Sequence, residues 1–200
     1  MNKNYSALRR LLSVWYLFLG WLLAVIIVFG LIYGLRTAYR ANEQISVFIA
    51  AESVENERLE ALLNENRPLY LANIKLSYCT SLRNETIYNV NWLQATTLAT
   101  DIYVLPESKI SAQACNAYFL PITDEFIKNN FIKTDRLIFD GNIYGLKINQ
   151  NKDNGLISFS DENYYVCFGR HCGHLGLGSA NDGAIEIANW FLNGMGEEYA

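Results

Sequence analysis

The hydrophobic positions of this chain fall into three blocks with different periods, and each block predicts a different kind of element. From Leu11 to Leu35 no Asp, Glu, Lys, Arg or His interrupts the sequence. At about 1.5 Å of rise per residue a helix over this run spans roughly 37 Å, enough to cross a hydrocarbon core of about 30 Å with some tilt. Trp15, Tyr16 and Trp21 lie towards one end and Tyr33 at the other, where amphipathic rings favour the headgroup boundary. The pattern predicts a transmembrane helix over residues 11–35, preceded by a cytoplasmic N-terminus over residues 1–10. A cleaved signal peptide fits less well. Its apolar region is usually only about 7–15 residues long, the best cleavage pattern, Val28-Phe29-Gly30, is weak, and no Cys ends the run for a lipid anchor.

The second block, residues 36–67, combines good helix formers with an absence of Gly and Pro until Pro68. Val47, Ala51, Val54, Arg58, Ala61, Leu62 and Glu65 recur at mixed spacings of three and four, which predicts a helical stalk with a charge-interrupted stripe. The third block, residues 69–200, shortens its apolar period towards two. Tyr70, Ala72, Ile74, Leu76 and Tyr78 alternate as in a half-buried strand, and Thr86–Leu98 is read as containing another strand around Tyr88, Val90 and Trp92. Asp101–Leu105 forms a short strand before Pro106, and Thr123 caps a short helix that turns Phe126, Ile127 and Phe131 inward.

Four further strands, Leu137–Phe139, Ile143–Ile148, Leu156–Phe159 and Tyr164–Phe168, are separated by Asp140-Gly141, Asp153-Asn154-Gly155 and Asp161-Glu162-Asn163. Asp-Gly and Asn-Gly supply the positive φ of tight hairpins, so an antiparallel meander is expected. A glycine-rich loop leads to a final helix over Asp182–Leu192, capped by Asn181. The expected fold is therefore α+β: an N-terminal transmembrane helix and helical stalk, then a mainly antiparallel β domain with a C-terminal helix.

Charge and cysteine content place the domain. Lys3, Arg9 and Arg10 precede the apolar run, against Arg36 and Arg40 after it, so the positive-inside rule predicts a cytoplasmic N-terminus. Cys79, Cys115, Cys167 and Cys172 all lie in the distal block, an even number suited to an oxidising compartment. The resulting expectation is a single-pass protein of a bacterial inner membrane with a periplasmic, or otherwise extracytoplasmic, domain. Acidic residues outnumber basic ones, 20 to 16, with no basic stripe, so nucleic acid is not expected as a partner.

The most suggestive chemistry is Cys167-Phe-Gly-Arg-His171-Cys172-Gly-His174, which holds both histidines of the chain. Two thiolates and two imidazoles suit tetrahedral zinc, but the spacing is unlike the common zinc knuckles. The favoured reading is a pair of disulfides, Cys167–Cys172 and, by elimination, Cys79–Cys115. Gly173, Gly176, Gly178 and Gly183 lack the spacing of a phosphate-binding loop and are read as turn residues. His174, Ser179 and Asp182 lack a nucleophile-elbow context, and Asn149-x-Asn151-x-Asp153 lacks the Glu that completes a calcium loop. Asn84-Glu85-Thr86 is a glycosylation sequon. Gly30-x-x-x-Gly34 fits a helix-pairing motif.

No cofactor is called for. These observations point to a membrane-anchored, non-enzymatic interaction protein. Its expected partners are the membrane, a protein of the envelope, and a second copy through the N-terminal helix and stalk. The alternatives are a membrane-tethered ligand-binding module, with Trp92, Tyr164, Tyr165 and Trp190 lining a pocket, or an enzyme or metal site centred on Cys167–His174.

Overall fold

Residues 44–50 read Gln-Ile-Ser-Val-Phe-Ile-Ala, rich in the β-branched and aromatic side chains that fill a pleated surface, and they form strand β1, Gln44–Ala50. In the computed structural model, which describes residues 15, 19–34, 43–132, 134–148, 155–176 and 182–193, β1 is buried on both faces. The chain divides into two compact units, Met1–Ala41 and Asn42–Ala200.

In the first unit, residue 15 and residues 19–34 are helical and exposed. Among the described residues no helix is long and apolar enough to cross a membrane, since a span needs about 20 apolar residues in succession. The expected transmembrane helix over residues 11–35 is thus not supported, and the single-pass localisation, its inside-out orientation and the periplasmic placement that rested on it fall too. Residues 11–14, 16–18 and 35 of that expectation lie outside the described residues. Gly30 and Gly34 lie on the described helix, with open space where a Cβ would stand.

The helical stalk over residues 36–67 is also corrected where it is described, residues 43–67; residues 36–42 lie outside the described residues. Its middle is β1, followed by the short strand β2, Ser53–Val54, and only then by helix α1, Asn56–Glu65. Strand β3, Asn73–Cys79, runs parallel to β1 in the register Gln44↔Asn73 to Ala50↔Cys79. Helix α2, Glu85–Thr97, replaces the strand read around Tyr88 and Trp92; Asn84 caps it by accepting the Ile87 N–H. Strand β4, Ile102–Pro106, then pairs parallel to β1 on its other side. Two short helices follow, α3, Ala112–Tyr118, and α4, Asp124–Asn130. The expected Thr123 cap of α4 accepts from the Phe126 N–H.

The distal strands are β5, Arg136–Phe139, β6, Asn142–Lys147, β7, Ile157–Ser158, and β8, Tyr164–Phe168; helix α5, Gly183–Leu192, comes last. Asp140 and Gly141 both adopt positive φ, +50° and +78°, in the β5–β6 hairpin that their dipeptide predicts. The antiparallel meander is only partly realised. β7 leaves it to pair with β2, while β6 pairs directly with β8.

The outcome is one mixed six-stranded sheet in the order β3-β1-β4-β8-β6-β5, with β8 antiparallel to β4. Its two faces carry separate cores. Ile45, Val47 and Ile49 of β1 meet Leu59 and Leu63 of α1, Ile127 of α4 and Ala188 and Phe191 of α5. Phe48 and Ala50 meet Tyr88 and Ala95 of α2 and Cys115 of α3. The sheet is therefore sandwiched between helices, where a mainly antiparallel β domain was expected.

Candidate functional site

The Cys/His segment begins inside β8 and ends in the loop before α5, and the pleat of β8 determines where its side chains go. Tyr164, Val166 and Phe168 enter the core beneath α1, α4 and α5, whereas Tyr165 and Cys167 enter the core beneath α2 and α3. Cys172 lies beyond the strand end and packs on the first of these cores. Cys167 and Cys172 thus occupy opposite faces of the sheet. All four cysteines are free thiols, so the expected Cys167–Cys172 and Cys79–Cys115 disulfides are absent.

For the second pair the surroundings differ as well. Cys79 ends β3, with the Asn91 Nδ2 at 3.7 Å from its Sγ, whereas Cys115 is fully buried on α3. Burial, followed by the proximity of Cys115, pushes the Cys167 thiol well up. Gly145 on the neighbouring strand leaves room for it, since a Cβ there would stand 2.8 Å from the Cys167 Sγ. Burial likewise pushes Cys115 up to about 11.

The four candidate metal ligands do not converge. Cys167 faces away from Cys172, His171 is exposed and His174 is buried. Among the described residues no group of three His, Cys, Asp or Glu side chains is arranged to hold a metal ion. Ser179, Asn181, Gly178 and residues 149–154 lie outside the described residues, so the triad and calcium-loop patterns have no geometry to compare.

What the segment does build is a polar knot at the start of β4. One Asp101 carboxylate oxygen accepts the Ser46 N–H at 2.8 Å and the Ser46 hydroxyl at 2.9 Å. The Gly169 N–H donates to the Asp101 backbone carbonyl at 2.7 Å, which brings the end of β8 to the same place, and the Cys172 thiol lies near this carboxylate. Burial first, and then the Asp101 charge, pushes Cys172 up to about 12. A thiol held protonated in this way is a hydrogen-bond donor and a poor nucleophile. The knot therefore ties β1, β4 and the loop after β8 together. Sequence spacing alone gave no sign of Asp101 or Ser46, whose separation of 55 residues hides their pairing.

The opposite end of the sheet has a second polar character. α1 leaves β1 on one face and α2 leaves β3 on the other, so the connections diverge between β1 and β4. In parallel sheets ligands bind at such a divergence, outside the C-terminal strand ends. Here Asn163 Nδ2 donates to Glu107 at 2.8 Å and the Ser108 N–H to Glu162 at 2.9 Å. Among the described residues, three buried side-chain atoms have no hydrogen-bond partner: Asn56 Oδ1, the Tyr88 hydroxyl and His174 Nδ1. Asn56 opens α1 and Tyr88 lies in the second turn of α2, both following C-terminal strand ends. The aromatics expected to line a pocket are mostly core. Tyr164 and Tyr165 are buried, and Trp92 packs among Phe48, Tyr88, Tyr103 and Phe119.

The surface of α2 carries large apolar side chains among polar ones where it faces solvent. Ile87, Val90, Leu93 and Leu98 are 44%, 63%, 64% and 55% exposed, although Tyr88 and Ala95 already anchor the helix to the core. No protein-family model matches this sequence, and no curated protein matches it.

Proposed function

We propose that this chain is a non-enzymatic interaction protein, and that its folded domain engages a protein partner through the outer side of α2. The observation that carries this reading is the exposure of Ile87, Val90 and Leu93 on a helix already anchored to the core through another side. Apolar side chains grouped on one solvent-facing surface of a helix are a feature of docking surfaces. The buried and protonated thiols supply no activated nucleophile, which also favours a binding role.

The reading is tested by placing a photo-crosslinking amino acid at Val90, with a control position at Glu57 on α1, in the full chain within its own cell. An adduct formed at Val90 and not at Glu57, and lost on Leu93→Glu, is the expected result. Leu93 is exposed, so its replacement leaves the circular dichroism unchanged. Absence of an adduct at Val90, Leu93 and Ile87 alike would overturn the proposal.

A second reading, a small-molecule binding module, is favoured by the two unsatisfied groups at the strand ends, Asn56 Oδ1 and the Tyr88 hydroxyl. It predicts that a polar ligand raises the melting temperature of the wild type and has less effect on Tyr88→Phe. A screen of polar metabolites that gives equal shifts for both proteins, or none, counts against it.

A further inference from the structure

Strand β3 is an edge of the six-stranded sheet, and its outer side is only partly covered. In a parallel pair the N–H and C=O of one residue point to the same neighbour, and successive residues alternate sides. The Ala51 N–H donates to the Cys79 C=O, so Cys79, Ser77 and Lys75 turn their peptide groups towards β1. Ile74, Leu76 and Tyr78 turn theirs outward. At Ile74 the outward groups are answered by Asn64 of α1, whose Oδ1 accepts the N–H at 2.9 Å and whose Nδ2 donates to the C=O at 3.3 Å. At Leu76 and Tyr78 no partner is found among the described residues. The strand has no proline, and its pairing with β1 runs without a register shift; the opposite edge, β5, is shorter and has a register shift against β6. Among the described residues the edge is open at Leu76 and Tyr78, with Asn64 at one end and the exposed Lys75 beside it, and open peptide groups on an edge strand are a template for strand addition.

We propose that the occupant is a second copy of this chain, paired antiparallel through β3 about a two-fold axis at Ser77. This goes beyond the interaction reading above, which concerns the outer side of α2, and assigns the β3 edge an occupant of its own. The open groups are self-complementary under that symmetry. With Ser77 opposite Ser77 of the second copy, Leu76 falls opposite Tyr78 and Tyr78 opposite Leu76, so both open residues exchange their N–H and C=O. The charge pattern agrees. Lys75, the charged residue of the strand, falls opposite Cys79 and not opposite another lysine, so no like charges are juxtaposed. The side of α2 nearest this edge is marked by Asn91, which reaches Cys79, and the exposed Ile87 lies one turn before Asn91 on that side. It adds an aliphatic contact next to the new strand pair.

The symmetry makes one residue diagnostic. Ser77 and its counterpart form a non-hydrogen-bonded pair with Cα atoms about 4.5 Å apart, inside the range a disulfide can span. The full-length Ser77→Cys protein, mildly oxidised, is expected to run mostly as a covalent dimer, whereas the wild type and Ser108→Cys remain monomeric on a non-reducing gel. Adding Tyr78→Pro removes an outward N–H without touching the bonds to β1. It is expected to cut the crosslinked fraction at least tenfold while circular dichroism stays native. A folded Ser77→Cys protein that stays monomeric, crosslinks equally through Ser108→Cys, or gives an adduct of another mass would overturn the self-pairing. A Val90 photo-adduct to a different protein, obtained alongside a monomeric Ser77→Cys, would sink the self-pairing and leave the interaction reading standing. Loss of both signals would sink both.

Discussion

A single carboxylate sets much of the local order at one end of the sheet. The Asp101 carboxylate accepts two bonds from Ser46, and the Gly169 N–H donates to its backbone carbonyl at 2.7 Å. Removing one partner of a part-buried charged hydrogen bond costs about 1.5–3 kcal/mol, because the groups left behind lose both protein and water. Asp101→Ala is therefore expected to lower unfolding free energy by about 3 kcal/mol and Cys172→Ala by about 1 kcal/mol, measured by urea titration. Equal effects of the two changes would mean that the carboxylate does not dominate the order at this end of the sheet. None of this was legible in the sequence, where Cys172 stood out only for its nearness to Cys167 and the histidines. Disulfide reasoning from spacing failed because spacing does not report the sheet face. Only four residues separate the two cysteines along the chain, but the strand end between them carries the second thiol to the other side.

At the scale of elements, the sequence was most legible where one face meets water. The Asp140-Gly141 turn and the Thr123 cap follow from local chemistry and recur in the structure, and the strand expected over Asp101–Leu105 before Pro106 is found, fully buried, as Ile102–Pro106. Two elements were misread for opposite physical reasons. β1 is a central parallel strand buried on both faces, so its apolar run shows no alternation and its flanks suggested a helix. α2 is the reverse case. Its outer side carries Ile87, Val90 and Leu93 among polar residues, so the apolar positions are not confined to one face, and Thr86, Ile87, Tyr88, Val90 and Trp92 mimic strand composition. The misreading thus came from the same exposed residues that carry the proposed function. What specifies the helix is its start, where Asn84 accepts the Ile87 N–H at 3.2 Å. Asn84→Ala is expected to cost about 1 kcal/mol in urea, with Asn84→Asp nearly neutral. An Asn84→Ala protein as stable as the wild type would show that tertiary packing alone holds the helix.

For the whole molecule, the buried core residues among those described all lie between Ile45 and Phe191, within the second compact unit. A fragment of residues 42–200 is accordingly expected to unfold cooperatively in urea with the full chain's near-ultraviolet dichroism, and a fragment lacking that signature would mean that the first unit contributes to the core. The three-layer arrangement itself was hidden from the sequence, because the parallel half of the sheet depends on pairings between β1, β3 and β4 that no local signal encodes.

The groups that titrate at high pH report on this fold collectively, and the sign of their effect follows from their environments. Burial raises Tyr103 from 10.0 to about 12. Burial, the Asp182 charge and a hydrogen bond to Asp182 raise Tyr70 to about 12. Burial and the Asp101 charge raise Cys172 from 9.0 to about 12. Each group holds its proton more tightly in the folded chain than in the unfolded one. Their contribution is therefore complete below the unfolded values and is lost as pH rises through the folded ones. The urea midpoint should stay level from pH 7 to about pH 9 and then fall steadily to pH 12. Tyr70 bridges to α5 at the surface and is the more solvent-screened of the two tyrosines, so Tyr70→Phe should flatten the slope above pH 10 less than Tyr103→Phe. A midpoint that is unchanged at pH 12, or a slope that neither substitution alters, would detach these two tyrosines from the stability of the fold.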